Sequence, residues 1–183
     1  MSGYLEEVIN GTKRGYKRLS VDVGQTGFFE GREARSFFEG TITGLTEIII
    51  KAVVPVDIIL QSISVFAFSG DLKVSTLLSD GTEGGVFSTL LPIIPTNTML
   101  EKFQPPYIPQ VILSTGGTYN GGTQIDVFRL KTGTGTGPVK VIPVGANQDD
   151  IRGVITGTYY YRFKALSVDD VEFIFNGRWE ERA

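Results

Sequence analysis

The chain has 183 residues, carries 17 Lys and Arg against 20 Asp and Glu, and contains neither cysteine nor histidine. That composition excludes Ser-His-Asp and Cys-His machinery, disulfide scaffolds, structural zinc and Cys-ligated clusters. A net charge of −3 gives no global attraction for polyphosphate, so bulk nucleic-acid binding is not expected.

Residues 1–35 hold no clean alternating run and read as an N-terminal arm, with a β-sandwich domain over residues 36–183. A short helical turn at residues 5–10 would place Leu5, Val8 and Ile9 on one face. Lys13, Arg14, Lys17 and Arg18 form a basic cluster around Tyr16. It is either a solvated segment or an arm that gains order by lying on a partner. On the partner reading, Tyr4, Tyr16, Phe28 and Phe29 join the basic cluster as contact residues. Phe28-Phe29 and Phe37-Phe38 also fit the role of core plugs, because aromatic rings bury a large apolar area. The first residues show neither a basic n-region nor an apolar h-region, so no secretory signal is expected. No run approaches 18 apolar residues, so no membrane helix is expected either.

The composition of the whole chain is that of a β protein. Val and Ile supply 17 residues each, Thr 18 and the aromatics 20, against only six alanines. Residues 46–54 place Ile48, Ile50, Ala52 and Val54 on one face and Ile49 and Val53 on the other, as in a strand buried on both sides. Pro55 then interrupts the ladder. Residues 56–68 predict one long strand or two with a kink near Ser62. A turn at Ser69-Gly70-Asp71 leads to a half-exposed strand carrying Leu72, Val74, Thr76 and Leu78. Residues 86–94, bounded by Pro92 and Pro95, belong at an edge, and the three prolines of 101–109 predict an extended crossing loop. The Gly116–Gly122 stretch reads as a turn and 123–131 as a strand. A low-complexity run follows at 132–138, then a short strand at 139–144. Gly157 opens a strand with Tyr159, Tyr161, Phe163 and Ala165 on one face and Thr158, Tyr160, Arg162 and Lys164 on the other. The last strand turns Val171, Phe173 and Phe175 inward and ends near Gly177 or runs on to Trp179. Eight to ten strands after residue 40, spaced 8–15 residues apart, predict an all-β, antiparallel, jelly-roll-like sandwich.

The residues offer little chemistry. Gly133 to Lys140 lacks the Gly-Lys-Ser/Thr step into a helix that a phosphate loop needs. Asp149-Asp150 and Asp169-Asp170 are adjacent acids of the kind that turns send to solvent. Asp80 with Glu83 would suit a hairpin turn before a calcium site, since the EF-hand spacing is absent. Trp179, Tyr159 and Tyr161 could stack on sugar rings, or could seal the core and an interface. No catalytic residue, cofactor or metal is expected.

Three features occur together: the charged, aromatic-studded arm, the all-β body with DGTEGGVFSTLLP at 80–92, and the tail running from GTYYYRF at 157 to RWEE at 178. The set resembles virion structural proteins of tailed bacteriophages, of the head decoration or cement type. The resemblance implies a non-enzymatic protein, often a homotrimer, that is assembled in the host cytoplasm and binds the major capsid protein or other virion proteins on the capsid surface. It further implies that Arg14, Lys17 and Arg18 meet acidic capsid patches, with Tyr4, Tyr16 and Phe28 as anchors and Trp179 at an interface. The alternative is a carbohydrate- or receptor-binding module of a phage tail.

Overall fold

The computed structural model describes residues 28, 30–97, 107–131, 139–144 and 152–182. Their regular structure is extended strand, as the β-branched and aromatic content requires. The long strands are β1 (Glu33–Ile42), β2 (Glu47–Val54), β3 (Ile58–Ala67) and β4 (Asp71–Leu78). Five short ones follow: β5 (Thr82–Gly84), β6 (Thr89–Leu90), β7 (Ile93–Pro95), β8 (Ile112–Thr115) and β9 (Thr118–Asn120). The chain then forms β10 (Gln124–Lys131), β11 (Val139–Val144), β12 (Arg152–Val154), β13 (Gly157–Ala165) and β14 (Val171–Glu181).

Eight strands make the frame. One sheet runs β11-β3-β14-β1, the other β10-β4-β13-β2, and every pairing is antiparallel. The chain changes sheet at each step from β1 to β4, pairs β4 with β10 inside one sheet, and changes sheet again at each step through β11, β13 and β14. This is the double Greek key of a jelly roll. The remaining short strands extend it. Strand β7 continues the first sheet beyond β1, β12 joins the outer edge of β3, and β8 and β6 continue the second sheet beyond β2.

Side-chain alternation builds the core. Ile50, Ala52 and Val54 of β2, Phe163 and Ala165 of β13, and Val171, Phe173 and Phe175 of β14 all face inward and are buried. Phe163 lies 4.7 Å from Phe173 and 5.6 Å from Phe175, ring centre to ring centre. On β3 the inward set changes parity, from Ile58 and Leu60 to Ile63, Val65 and Ala67. The cause is a bulge: Arg178 pairs with Ser62 but Trp179 pairs with Leu60, so Gln61 is the extra residue. Of the two expectations for this stretch, one long strand holds, with one residue inserted next to Ser62.

Two expectations need correction. The domain does not start at residue 36, because β1 begins at Glu33 and both Glu33 and Ala34 are buried. Nor is β4 half-exposed: Ser75 and Leu77, on its outer face, are also buried. The connection that follows β4 explains the second correction.

Candidate functional site

Between β4 and its neighbour β10 the chain makes a long excursion that includes β5 to β9. Part of it folds back over the second sheet. Tyr119, on β9, stacks on Tyr160 of β13 with ring centres 3.7 Å apart and planes within 6°. Together with Ile49, Leu77 and Phe87 they form a second apolar cluster on the outer face of that sheet. The cover is pinned by polar bonds. The Tyr119 hydroxyl donates to the Leu78 carbonyl and accepts from the Gly81 amide, and Arg162 donates to the Tyr119 carbonyl. Glu83 accepts from Lys51 Nζ at 2.6 Å and from the Tyr160 hydroxyl. Those two donors hold its carboxyl below the usual glutamate range, while burial first and Glu83 second push the Tyr160 phenol up. Asp80 is held by the Thr123 amide at 2.7 Å and by its hydroxyl. The oxygens of Asp80 and Glu83 thus serve the hairpin and its cover.

A second fastening lies where the described chain resumes at Tyr107. Glu181 is fully buried, and its carboxylate accepts from the Tyr107 hydroxyl at 2.7 Å, the Gln110 amide at 2.8 Å, the Val111 amide at 3.0 Å and Trp179 Nε1 at 3.2 Å. Burial, reinforced by the carboxylate, raises the Tyr107 phenol to about 12. On the neighbouring strand Glu33 accepts from Arg178 at 2.6 Å and from Gln61 at 2.9 Å. These buried carboxylates spend their lone pairs on the fold.

What remains outward is apolar in places. Val86, Leu90 and Ile112 are exposed and, with Val53, surround a shallow hollow beside Lys51 and Glu83. Leu45, Phe68 and Val168 are exposed on the turns after β1, β3 and β13. These turns are tied together by bonds from the Leu45 amide to the Ser167 carbonyl at 2.9 Å, from the Gly44 amide to Asp170 at 3.2 Å, and from the Ser69 hydroxyl to the Asp170 carbonyl at 3.0 Å. The approach is so close that a Cβ on Gly44 would fall 1.9 Å from the Val168 carbonyl oxygen. Leu45 itself sits at φ 61°, a left-handed conformation unusual for a leucine.

A cavity of about 370 Å³ opens on the side of the sandwich between β10 of one sheet and β12 of the other. Its walls include Leu60, Ile63, Val74, Val154 and Phe128, with Thr76, Tyr159 and Tyr161 as polar members and Asp126 in the wall from β10.

The residues singled out in the sequence scatter. Tyr4, Lys13, Arg14, Tyr16, Lys17, Arg18 and Phe29 lie outside the described residues, as do the helical turn at 5–10, most of the crossing loop, the run at 132–138 and Asp149-Asp150. Phe28 is half-buried, and its carbonyl accepts from Asn97 Nδ2 at 3.0 Å. Phe38 packs on Phe173 at 5.8 Å, whereas Phe37, on the opposite face of β1, is exposed. Trp179 needs correction. It is 3% exposed, sits in the core and donates to Glu181, so neither a partner nor a sugar ring can reach it in the folded chain. The sequence reading missed the Glu181 fastening and the cavity. A carboxylate near the chain's end looks like solvated charge, and cavity walls are ordinary strand residues.

No protein-family model matches the chain, and no curated protein matches it in sequence.

Proposed function

We propose that this protein is a non-enzymatic virion structural protein that binds and stabilises a phage capsid as a decoration or cement subunit. One observation carries the reading. The frame is a jelly roll whose buried Glu33 and Glu181 are engaged internally, yet large apolar side chains stand exposed in groups, Val86 with Leu90 and Ile112, and Leu45 with Phe68 and Val168. Grouped apolar exposure on a rigid scaffold suits docking onto another protein. The complete lack of histidine and cysteine in the sequence points the same way. A subunit that binds only the assembled lattice stabilises it by mass action, and many copies add through multivalency. The N-terminal arm, with Lys13, Arg14, Lys17 and Arg18, would add contacts to acidic capsid patches. Oligomerisation, with a trimer favoured, would place several arms on one lattice site.

Immunogold electron microscopy of phage particles from the source of this sequence, with antibody raised against the purified chain, tests the proposal. Label over the heads is expected. Label confined to tails, or absent from particles, would overturn it.

A further inference from the structure

The cavity between the sheets is a feature that capsid docking does not use. Its apolar walls come from both sheets: Leu60 and Ile63 of β3, Val154 of β12, Val74 of β4 and Phe128 of β10. It adjoins a smaller void of about 30 Å³, deeper in the core, that shares Leu60, Ile63, Val154, Tyr159 and Tyr161. The apolar lining thus continues inward past the two tyrosines. Interiors are normally close-packed, so an apolar opening of this size is unusual, and its volume is that of pockets that hold drug-sized molecules.

The polar groups of the cavity differ in what they do. The Tyr159 hydroxyl donates to the Ile155 carbonyl at 2.9 Å. Tyr161 is held in place by its ring, 5.5 Å from Phe175, and its hydroxyl makes no hydrogen bond among the described residues. Thr76, paired with Tyr161 across the β4–β13 ladder, stands beside it in the wall. The Asp126 carboxylate in the same wall acts on this phenol through its charge without a hydrogen bond to it, so the acceptor is left for a guest to supply. That carboxylate is not without a partner of its own and would repel an anion, so a charged guest would lose its hydration for little return, whereas a neutral one would not.

We infer that this cavity is a binding site for a neutral, largely apolar small molecule carrying one hydrogen-bond-accepting oxygen, which Tyr161 engages. The site is independent of the proposed capsid contact, because the apolar groups assigned to docking lie outside it. Nile red, a neutral dye with an acceptor carbonyl, is the probe. Titration of the full-length chain should give saturable, one-to-one binding with a blue-shifted emission. Tyr161→Phe should weaken that binding about fivefold while leaving the ring in place. Thr76→Phe and Val154→Trp, which fill the opening from opposite sheets, should each abolish it. Circular dichroism and thermal unfolding identify a filling variant that fails to fold, and the other filling variant then decides. Linear, unsaturable uptake by the wild-type chain, or binding unchanged in a folded filling variant, would overturn the assignment.

Discussion

Glu181 shows how a single carboxylate can hold a distant segment in place. Its oxygens collect two main-chain amides from Gln110 and Val111, a phenol from Tyr107 and an indole N–H from Trp179, all in a fully buried setting. Removing the charge leaves these donors facing an amide that presents two N–H groups of its own. Glu181→Gln should therefore lower the unfolding free energy by about 3 kcal/mol, measured by urea denaturation at neutral pH. A loss below about 1 kcal/mol would mean that the donors find other acceptors. Leu45 makes the converse case. A left-handed leucine that is 61% exposed gains little burial for its backbone strain. Leu45→Gly relieves the strain and concedes only part of it to the flexibility of the unfolded chain, so stability should rise by roughly 0.5 kcal/mol. A clear fall in the melting temperature would show that the exposed side chain packs on its own turn.

The cover over the second sheet is the element whose stability is tied to pH. Glu83 accepts from Lys51 and Tyr160, and its folded pKa lies below its ordinary value of 4.5. Above pH 4.5 the carboxylate is ionised in folded and unfolded chains alike, and the pin contributes in full. As pH falls through 4.5 the unfolded chain takes up the proton first, so the contribution shrinks until the folded group is protonated too. Because the side chain is 39% exposed, the pin is worth no more than about 1 kcal/mol. The stability gap between wild type and Glu83→Gln should be present at pH 7, narrow as pH falls below 4.5 and go on narrowing until the folded carboxyl is protonated. A gap that widens on acidification would contradict this account. The cover was also the element least legible in the sequence. Period-two patterns in β2, β13 and β14 named the core residues correctly because alternation is local. Tyr119 stands in a run of glycines and reads as part of a turn. Only the three-dimensional return of that run onto Tyr160 buries it, together with Leu77 on the outer face of β4. The Gln61 bulge was half visible, since the parity of apolar residues changes at that point.

At the scale of the whole molecule, the β-rich composition and the turn spacing indicated a sandwich, but the order of strands rests on pairings between distant residues, such as Glu33 with Glu180. That pairing also places Glu33 inside the sandwich. The arm reading set the boundary between arm and domain after residue 35, yet Glu33 accepts from Arg178 and Gln61, Ala34 lies in the core, and both Ala34 and Arg35 pair with β7. Two truncations separate these ideas. Deleting residues 1–27 spares Phe28, whose carbonyl holds Asn97, and should leave the unfolding transition within about 0.5 kcal/mol of the intact chain. Deleting residues 1–35 strips Glu33 and Ala34 from the sandwich and leaves Arg178 without its buried partner. It should cost about 3 kcal/mol or prevent folding. Capsid binding then discriminates on its own terms. If the arm supplies the contact, the shorter truncation folds normally yet no longer co-sediments with phage heads. Full co-sedimentation of that variant would move the contact from the arm to the exposed apolar groups of the jelly roll itself.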